Sequence, residues 1–113
     1  MIDFDKLRDA ARVVGNCAPL ESRDELARQL AKATFHPIND DGSIVELRYD
    51  GYQRPDYTQN QVGPVGMLRD ADLCPIEILL YWDKNRKLCE IELIRQGEGA
   101  LIAPDFTSVE LVG

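Results

Sequence analysis

The stretch from Pro75 to Gln96 constrains the fold more than any other part of the sequence. Two runs of β-forming residues flank the polar pentapeptide Asp83-Lys-Asn-Arg-Lys. Apolar and polar residues alternate within each run, which is typical of a strand with one face in a hydrophobic core. The stretch therefore predicts a β-hairpin. One face would carry Ile76, Ile78, Leu80, Trp82, Cys89, Ile91 and Leu93, and the other Glu77, Leu79, Tyr81, Leu88, Glu90, Glu92 and Ile94.

Two amphipathic helices are predicted before the sheet. In the first, apolar residues recur at helical spacing ahead of a Gly15-Asn16 stop, namely Phe4, Leu7, Ala11 and Val14. Ser22 and Glu25 match a capping box, so the second helix is expected from Arg23 to about Thr34. His36-Pro37 would end it, because the residue before a proline is disfavoured in the α conformation.

The remaining sequence predicts further strands and one long loop. Alternation predicts a strand at 44–49, with shorter extended segments at 65–69 and 106–112. Residues 50–66 hold glycine and proline among polar and aromatic residues and are expected to be irregular. Loops of that length are uncommon in compact domains and are often functional.

These elements together predict an α+β fold. The two helices would pack on one face of a mainly antiparallel sheet of about four to five strands, with the hairpin at its centre. At 113 residues the chain is expected to form a single domain, with a helical part at 3–34 and a sheet part at 44–112.

The net charge of the chain indicates which class of molecule it is expected to bind. The chain carries 20 acidic residues against 13 lysines and arginines, for a net charge of −7. Phosphate binding needs clustered basic residues, so neither a nucleic acid nor an anionic membrane is the expected partner. An acidic surface attracts a basic protein and raises the rate at which the two associate. The alternative is that the negative charge only keeps the protein soluble.

The N-terminal residues and the apolar runs indicate the cellular location, and the cysteines indicate whether disulfides or a metal site are expected. The opening Met1-Ile-Asp-Phe-Asp lacks the basic and apolar regions of a signal peptide, and the longest apolar run, 78–82, is too short to span a bilayer. A cytoplasmic location is therefore expected. The chain has an odd number of cysteines, and they lack Cys-x-x-Cys spacing, so they predict neither a disulfide framework nor a metal site. They are Cys17, Cys74 and Cys89.

The outer hairpin face concentrates carboxylates. The expected register places Glu77 close to Glu92 and Ile94 across the two strands, with Glu90 on the same face. Neighbouring like charges are unfavourable and call for a cation or water. Either a solvated sheet face or a surface that recognises a partner fits this pattern. A metal or glycosidase-type carboxylate pair is disfavoured, because no histidine accompanies these residues.

The long loop contributes residue types that are common at interface hot spots. Tyr52, Arg54 and Tyr57 combine aromatic and guanidinium groups, and Asp50 and Asp56 add negative charge. The alternative is that the tyrosines fold back over the edge of the sheet.

Other polar residues are expected to be structural. His36, the single histidine, precedes a proline where capping or exposure is its ordinary role. Asp40-Asp41 and Asp70-x-Asp72 resemble fragments of calcium loops but lack the glycine and distal glutamate of an EF-hand, so they predict turns. No metal or cofactor is expected.

A family resemblance emerges from the C-terminal half. An Asp-x-Asp turn, a strand and a second turn begun by aspartate precede a Leu-x-Glu-aliphatic-Glu-aliphatic strand. The matching positions are Asp70, Asp72, Asp83, Leu88, Glu90 and Glu92. From Leu68 to Val112 the chain resembles small bacterial α+β proteins of the contact-dependent growth inhibition and polymorphic-toxin immunity type. Leu73 and the Asn85-Arg86 pair stand where such turns more often have glycine, so a left-handed backbone there would be held by Asn85 or avoided.

The resemblance implies a non-enzymatic immunity protein that binds and blocks a cognate toxin domain. The sequence leaves its oligomeric state open, with a monomer favoured. The negative charge favours a basic nuclease as that toxin. The residues expected to bind it are Asp50, Tyr52, Arg54, Asp56, Tyr57, Glu77, Glu90 and Glu92. The alternatives are a small hydrolase or ligand-binding enzyme with a cleft between helices and sheet, or a homodimerising interaction module.

Overall fold

Two helices lie on one face of an antiparallel sheet in the computed structural model, which describes residues 2–16, 18, 20–55, 59–62 and 65–112. Within these residues the sheet has seven strands. The elements are α1 (Phe4–Gly15), α2 (Leu20–Lys32), β1 (Thr34–Pro37), β2 (Ile44–Arg48), β3 (Gln59–Gln61), β4 (Val65–Arg69), β5 (Pro75–Asp83), β6 (Leu88–Arg95) and β7 (Asp105–Val112).

The strand order confirms the α+β class and the central hairpin. The sheet runs β1-β2-β6-β5-β4-β7, with β3 also paired to β5, so β5 and β6 are interior strands. The sheet has more strands than the four to five that were expected, because β1 and β3 lie in segments predicted to be a helix end and a loop.

Strand β1 corrects the prediction for the end of the second helix. Helix α2 ends at Lys32, before the expected Thr34, and the chain then enters β1 directly. Phe35 packs against the core and pairs with Leu47 of β2. Pro37 is tolerated because β1 is an edge strand, where a missing amide donor breaks no ladder.

Strand β3 lies inside the segment predicted to be irregular. Gln59 pairs with Asp83 and Gln61 with Tyr81, while Gly66 of β4 pairs with Ile78 further along the same β5 edge. Three consecutive polar residues carry no alternation, which is why the sequence did not reveal this strand.

The start of α2 also differs from the prediction. The helix begins at Leu20, so Ser22 lies within its first turn and is buried. The Glu25 carboxylate accepts hydrogen bonds from Arg28 and Gln29. The predicted capping box is therefore wrong. In contrast, α1 begins as its charge pattern suggests, because the Asp3 side chain accepts hydrogen bonds from the amides of Asp5 and Lys6.

The hydrophobic core lies between the helices and the sheet. Its fully buried members include residues of both helices and of the hairpin, among them Leu7, Val14, Leu26, Leu30, Ile76, Ile78, Leu80 and Ile91. Leu7 and Val14 belong to the apolar stripe that the sequence predicted for the first helix, and both helices cover the same sheet face.

A bulge changes which β6 residues face the core. Tyr81 pairs with Glu90, but Trp82 pairs with Leu88, which leaves Cys89 as an extra residue. Leu88 therefore joins the core, although alternation placed it on the outer face. Cys89 is buried outside the core cluster, where its thiol lies 3.6 Å from the Tyr81 carbonyl oxygen, so its predicted place on the core face is wrong.

Among the residues that the structure describes, two that are not glycine adopt a left-handed backbone. Leu73 has φ 70° in the β4–β5 turn and Arg86 has φ 59° in the hairpin turn. The expectation that Asn85 would hold this conformation or that the turns would avoid it is wrong. The left-handed region costs a residue other than glycine roughly 1 to 2 kcal/mol.

Residues 101–103 are bound by side chains rather than by a neighbouring strand. The Leu101 amide donates to the Asp41 carboxylate at 3.2 Å. The amides of Ile102 and Ala103 donate to the Asp70 carboxylate at 2.9 and 2.7 Å. Asp41 and Asp70 thus act within turns, as predicted, and also fix a distant segment to those turns.

We expect these carboxyl groups to make stability depend on pH in acid. Burial acts to raise the pKa of Asp70 and Asp41, but the hydrogen bonds they accept outweigh it and hold each pKa below its usual value. A hydrogen bond from Arg95 lowers the pKa of Asp72 to about 2. Each group therefore stabilises the fold above its unfolded-state pKa, and this contribution is lost as the pH falls through the folded-state pKa.

Denaturant titrations should show this loss between about pH 4 and about pH 2. A denaturation midpoint that stays constant across that interval would contradict the expectation.

Neither of the two helices in the described part of the chain is long and apolar enough to cross a membrane.

Candidate functional site

The sheet face turned away from the helices, here called the outer face, collects glutamates from four strands. Each glutamate is adjacent in sequence to residues that are buried or packed on the core, so alternation directs it away from the helices. The members are Glu46 on β2, Glu77 on β5, Glu90 and Glu92 on β6, and Glu110 on β7.

Strand register determines how these carboxylates meet. Glu77 pairs with Ile94, as predicted, whereas Glu92 pairs with Leu79 and so lies diagonally from Glu77. The pair that stands directly opposite is Glu46 and Glu90, across β2 and β6. The sequence could not indicate that pair, because nothing in it specified that β2 adjoins β6.

Few groups offset the negative charge of the outer face. Within the described residues, Glu46 is the one outer-face glutamate in an ion pair, with Arg48 at 2.5 Å. The Tyr81 hydroxyl donates to Glu92 at 3.1 Å. Burial and this hydrogen bond raise the pKa of the Tyr81 phenol. Neither Glu77 nor Glu110 forms an ion pair with any described residue, so their charges face solvent or a partner.

Aliphatic side chains lie between the glutamates. Leu79 is 7% exposed, and Ile94 is 38% exposed. Ile44 pairs with Glu92, and Met67 pairs with both Glu77 and Glu110. The outer face therefore offers apolar area together with carboxylates, which suits a protein partner better than a small ion.

The loop after β2 is fastened to the hairpin turn through Tyr52. Its hydroxyl donates to the Asp83 carboxylate and accepts a hydrogen bond from the Asn85 amide at 3.2 Å. The Lys87 ammonium lies 5.1 Å from the Tyr52 ring centre and 4.7 Å from that of Tyr49. Tyr52 thus folds back over the sheet, which is the alternative that the sequence left open, while its ring stays half-exposed.

Arg54 is connected to the outer face through a glutamine. The Arg54 guanidinium donates to the Gln59 side-chain oxygen at 2.6 Å, and the Gln59 amide donates to Glu90 at 3.4 Å. The structure therefore brings together Arg54 and Glu90, which are distant in sequence.

The other loop residues predicted to bind a partner are not brought to the outer face. Asp50 is exposed beside Lys32 and Lys87. Asp56 and Tyr57 lie outside the described residues.

Sequence reasoning missed Asp83 as the residue that organises this end of the site. Asp83 is 1% exposed and accepts hydrogen bonds from the amides of Asn85 and Lys87 as well as from Tyr52. The available signal was an aspartate at the first position of a predicted turn. Glu46, Glu110 and Gln59 were also missed, since their neighbours depend on long-range pairing.

Two side chains that could act as nucleophile or base, Cys89 and His36, make contacts of an ordinary structural kind. Burial raises the pKa of the Cys89 thiol to about 11, so it is protonated at neutral pH. His36 lies on edge strand β1, rather than at a helix end, with its Nε2 3.0 Å from the Thr34 hydroxyl oxygen. In the part of the chain that the structure describes, no group of three or more His, Cys, Asp or Glu side chains could hold a metal ion.

Comparisons of the chain with protein-family models, with curated proteins and with solved structures find no match.

Proposed function

We propose that this protein is an immunity protein that binds and neutralises a cognate toxin domain, a basic nuclease, in the cytoplasm of the producing cell. One observation carries the proposal: the outer face presents five glutamates, and Glu46 is the one of them that is ion-paired within the described residues. The function needs no catalysis and no cofactor.

Electrostatics gives the outer face its preference for a cationic partner. Glu46 and Glu90 stand directly opposite one another on adjacent strands, an arrangement that destabilises a sheet when both are charged and that Arg48 offsets at Glu46 but not at Glu90. Lysine or arginine side chains of a partner would relieve that repulsion and would be steered toward the face during encounter. A nuclease domain that binds phosphates presents such side chains.

The protein would then inhibit the toxin by covering its active site or its substrate-binding surface. The carboxylates of Glu77, Glu90 and Glu92 take the place of substrate phosphates or cover the mouth of the toxin's active site. Tyr52 lies at the hairpin-turn end of the sheet and Arg54 reaches the face through Gln59, and their contacts with Asp83 and Gln59 hold them in position. Anchors fixed before binding lose little entropy when the partner arrives.

Charge reversal on the outer face tests this function. We expect E90K/E92K to unfold with a midpoint near that of the wild type, because both residues are on the outer surface. Binding to the cognate toxin domain, to be sought among nuclease domains encoded beside the gene for this protein, should weaken on the order of 10- to 100-fold, since each 1.4 kcal/mol of lost interaction is tenfold in Kd. Titration calorimetry at low and high salt would measure this, with growth protection on co-expression as a second readout.

The matched control is E21K/D24K, which makes the same change in net charge on the exposed side of α2. It should bind and protect as the wild type does. If the wild type neither binds nor protects against that toxin, the proposed function is wrong. If E90K/E92K binds as tightly as the wild type, the outer face is only a solvated surface.

A further inference from the structure

Apolar residues and glutamates alternate on the outer face from strand to strand. In each of five cross-strand pairs, an apolar residue stands directly opposite a glutamate. The pairs are Ile44 with Glu92, Leu79 with Glu92, Ile94 with Glu77, Met67 with Glu77, and Met67 with Glu110. Residues directly opposite one another have β carbons about 5 Å apart, so each of these carboxylates lies beside an apolar group. The alternation runs through β2, β6, β5, β4 and β7.

These apolar residues are separate from the hydrophobic core. None of the four is among the residues that form the core or pack against it. Leu79 is 7% exposed and contributes little surface, whereas Ile94 is 38% exposed and both Ile44 and Met67 are partly accessible. Ile44, Ile94 and Met67 therefore supply apolar area that a partner can cover.

The carboxylates beside these residues lack basic partners. Within the part of the chain that the structure describes, Glu77, Glu92 and Glu110 form no ion pair. The contact that Glu92 does make is a hydrogen bond from the neutral Tyr81 hydroxyl, which leaves its charge uncompensated. The outer face thus presents accessible apolar groups and uncompensated negative charges at intervals of one strand.

A lysine or arginine side chain has the two parts that complement this alternation. Its methylene stem is apolar, and its head is cationic. A stem of three or four carbons spans about 5 Å, which is the distance between adjacent strands. Such a side chain lying across the strands places its stem on an apolar residue and its head on the glutamate of the next strand. A small cation matches the carboxylates alone, and an aliphatic side chain matches the apolar groups alone.

We propose that the outer face binds lysine and arginine side chains of the toxin domain lengthwise, with their methylene stems on Ile44, Ile94 and Met67 and their heads on the adjoining glutamates. This inference rests on the proposed function and assigns part of the affinity to apolar contact. That part persists at high ionic strength, because salt screens the charges but does not weaken the burial of apolar surface.

Peptides that differ in stem length test this binding mode without the toxin domain. The probes are oligo-arginine and an oligomer of β-guanidinoalanine of the same length, whose side chain is a shorter homologue of arginine. Both carry the same charge, because the guanidinium group stays protonated. We expect oligo-arginine to bind roughly tenfold more tightly, since its additional methylene groups are buried on the face. Titration calorimetry measures both affinities, and equal values would overturn the inference.

Removing the apolar surface should abolish that difference. Ile44→Thr/Ile94→Thr keeps the net charge and the β-branched side chains that suit a strand. The variant should bind the two peptides alike, and at high salt it should bind the cognate toxin domain at least about tenfold more weakly than the wild type does.

The matched control is Val13→Thr/Ile102→Thr, which alters residues that are 38% and 56% exposed away from the outer face. It should bind the peptides and the toxin domain as the wild type does. If Ile44→Thr/Ile94→Thr also binds the toxin domain with wild-type affinity at high salt, the lengthwise binding mode is overturned while the immunity function stands. Growth protection by the wild type decides the function, whereas the peptide comparison decides the binding mode.

Discussion

Replacing Asp70 with alanine is expected to lower the free energy of unfolding by about 3 to 5 kcal/mol, because it removes the buried partner of an ion pair and leaves Arg95 with the exposed Asp72 alone. The Asp70 side chain is fully buried, and that of Arg95 is 12% exposed. The substitution also removes the acceptor for three backbone amides, at Ala71, Ile102 and Ala103. Chemical denaturation at neutral pH measures the loss.

Asp72 provides the matched control, since it binds the same arginine two residues away. Its side chain is 43% exposed, so solvent can replace most of what Asp72→Ala removes. We expect a much smaller loss from it than from Asp70→Ala. Equal losses would show that Arg95, rather than the amides bound to Asp70, dominates the energetics of this turn.

Substituting Gly66 with alanine is expected to destabilise the fold by about 1 to 3 kcal/mol through overpacking. A methyl group at this position would lie 2.6 Å from Val14 Cγ2 and 2.7 Å from Ile78 Cγ2. Both neighbours are β-branched side chains with little rotamer freedom in the core. Gly66 is thus a place where α1 approaches the sheet closely. Thermal or denaturant unfolding would report the effect.

A second substitution makes the Gly66 prediction specific. In Gly66→Ala/Val14→Ala the clash with Val14 is absent, so the double variant should be more stable than the sum of the two single effects predicts. Gly15→Ala serves as control, because its added methyl group would meet Leu26 Cβ at an ordinary 3.9 Å. It should not destabilise. Strict additivity in the double variant would exclude the close contact as the cause.

The parts of the fold that follow from local pattern were predictable. The hairpin, the core stripes of both helices and strands β2 and β4 all have an apolar periodicity that matches their burial. The turn role of Asp70 was also evident, because aspartate binds nearby backbone amides in turns. In each case the residues that determine the element lie within a few positions of one another.

What could not be predicted depends on contacts between distant segments. The bulge at Cys89, which exchanges Leu88 for Cys89 in the core, arises from the register between β5 and β6. Strand β3 is polar and exists because β5 extends beyond β4. The same holds for the candidate site, where Glu77, Glu90 and Glu92 were found but the direct Glu46 to Glu90 pair depends on strand order. Alternation assigns a residue to a face but does not assign its neighbour on the next strand.

The strand order has a consequence for how the chain reaches this structure. The hairpin closes a short turn and can form within about 10 μs, before other pairings. Strand β2 must then find β6, and β7 must find β4, each from a distant part of the chain. The entropy of closing such long loops has to be overcome before these pairings contribute, so folding should be slow for a chain of this size. Until β2 joins it, the β6 edge of the hairpin lies open, and this early intermediate is where competition from aggregation would be greatest.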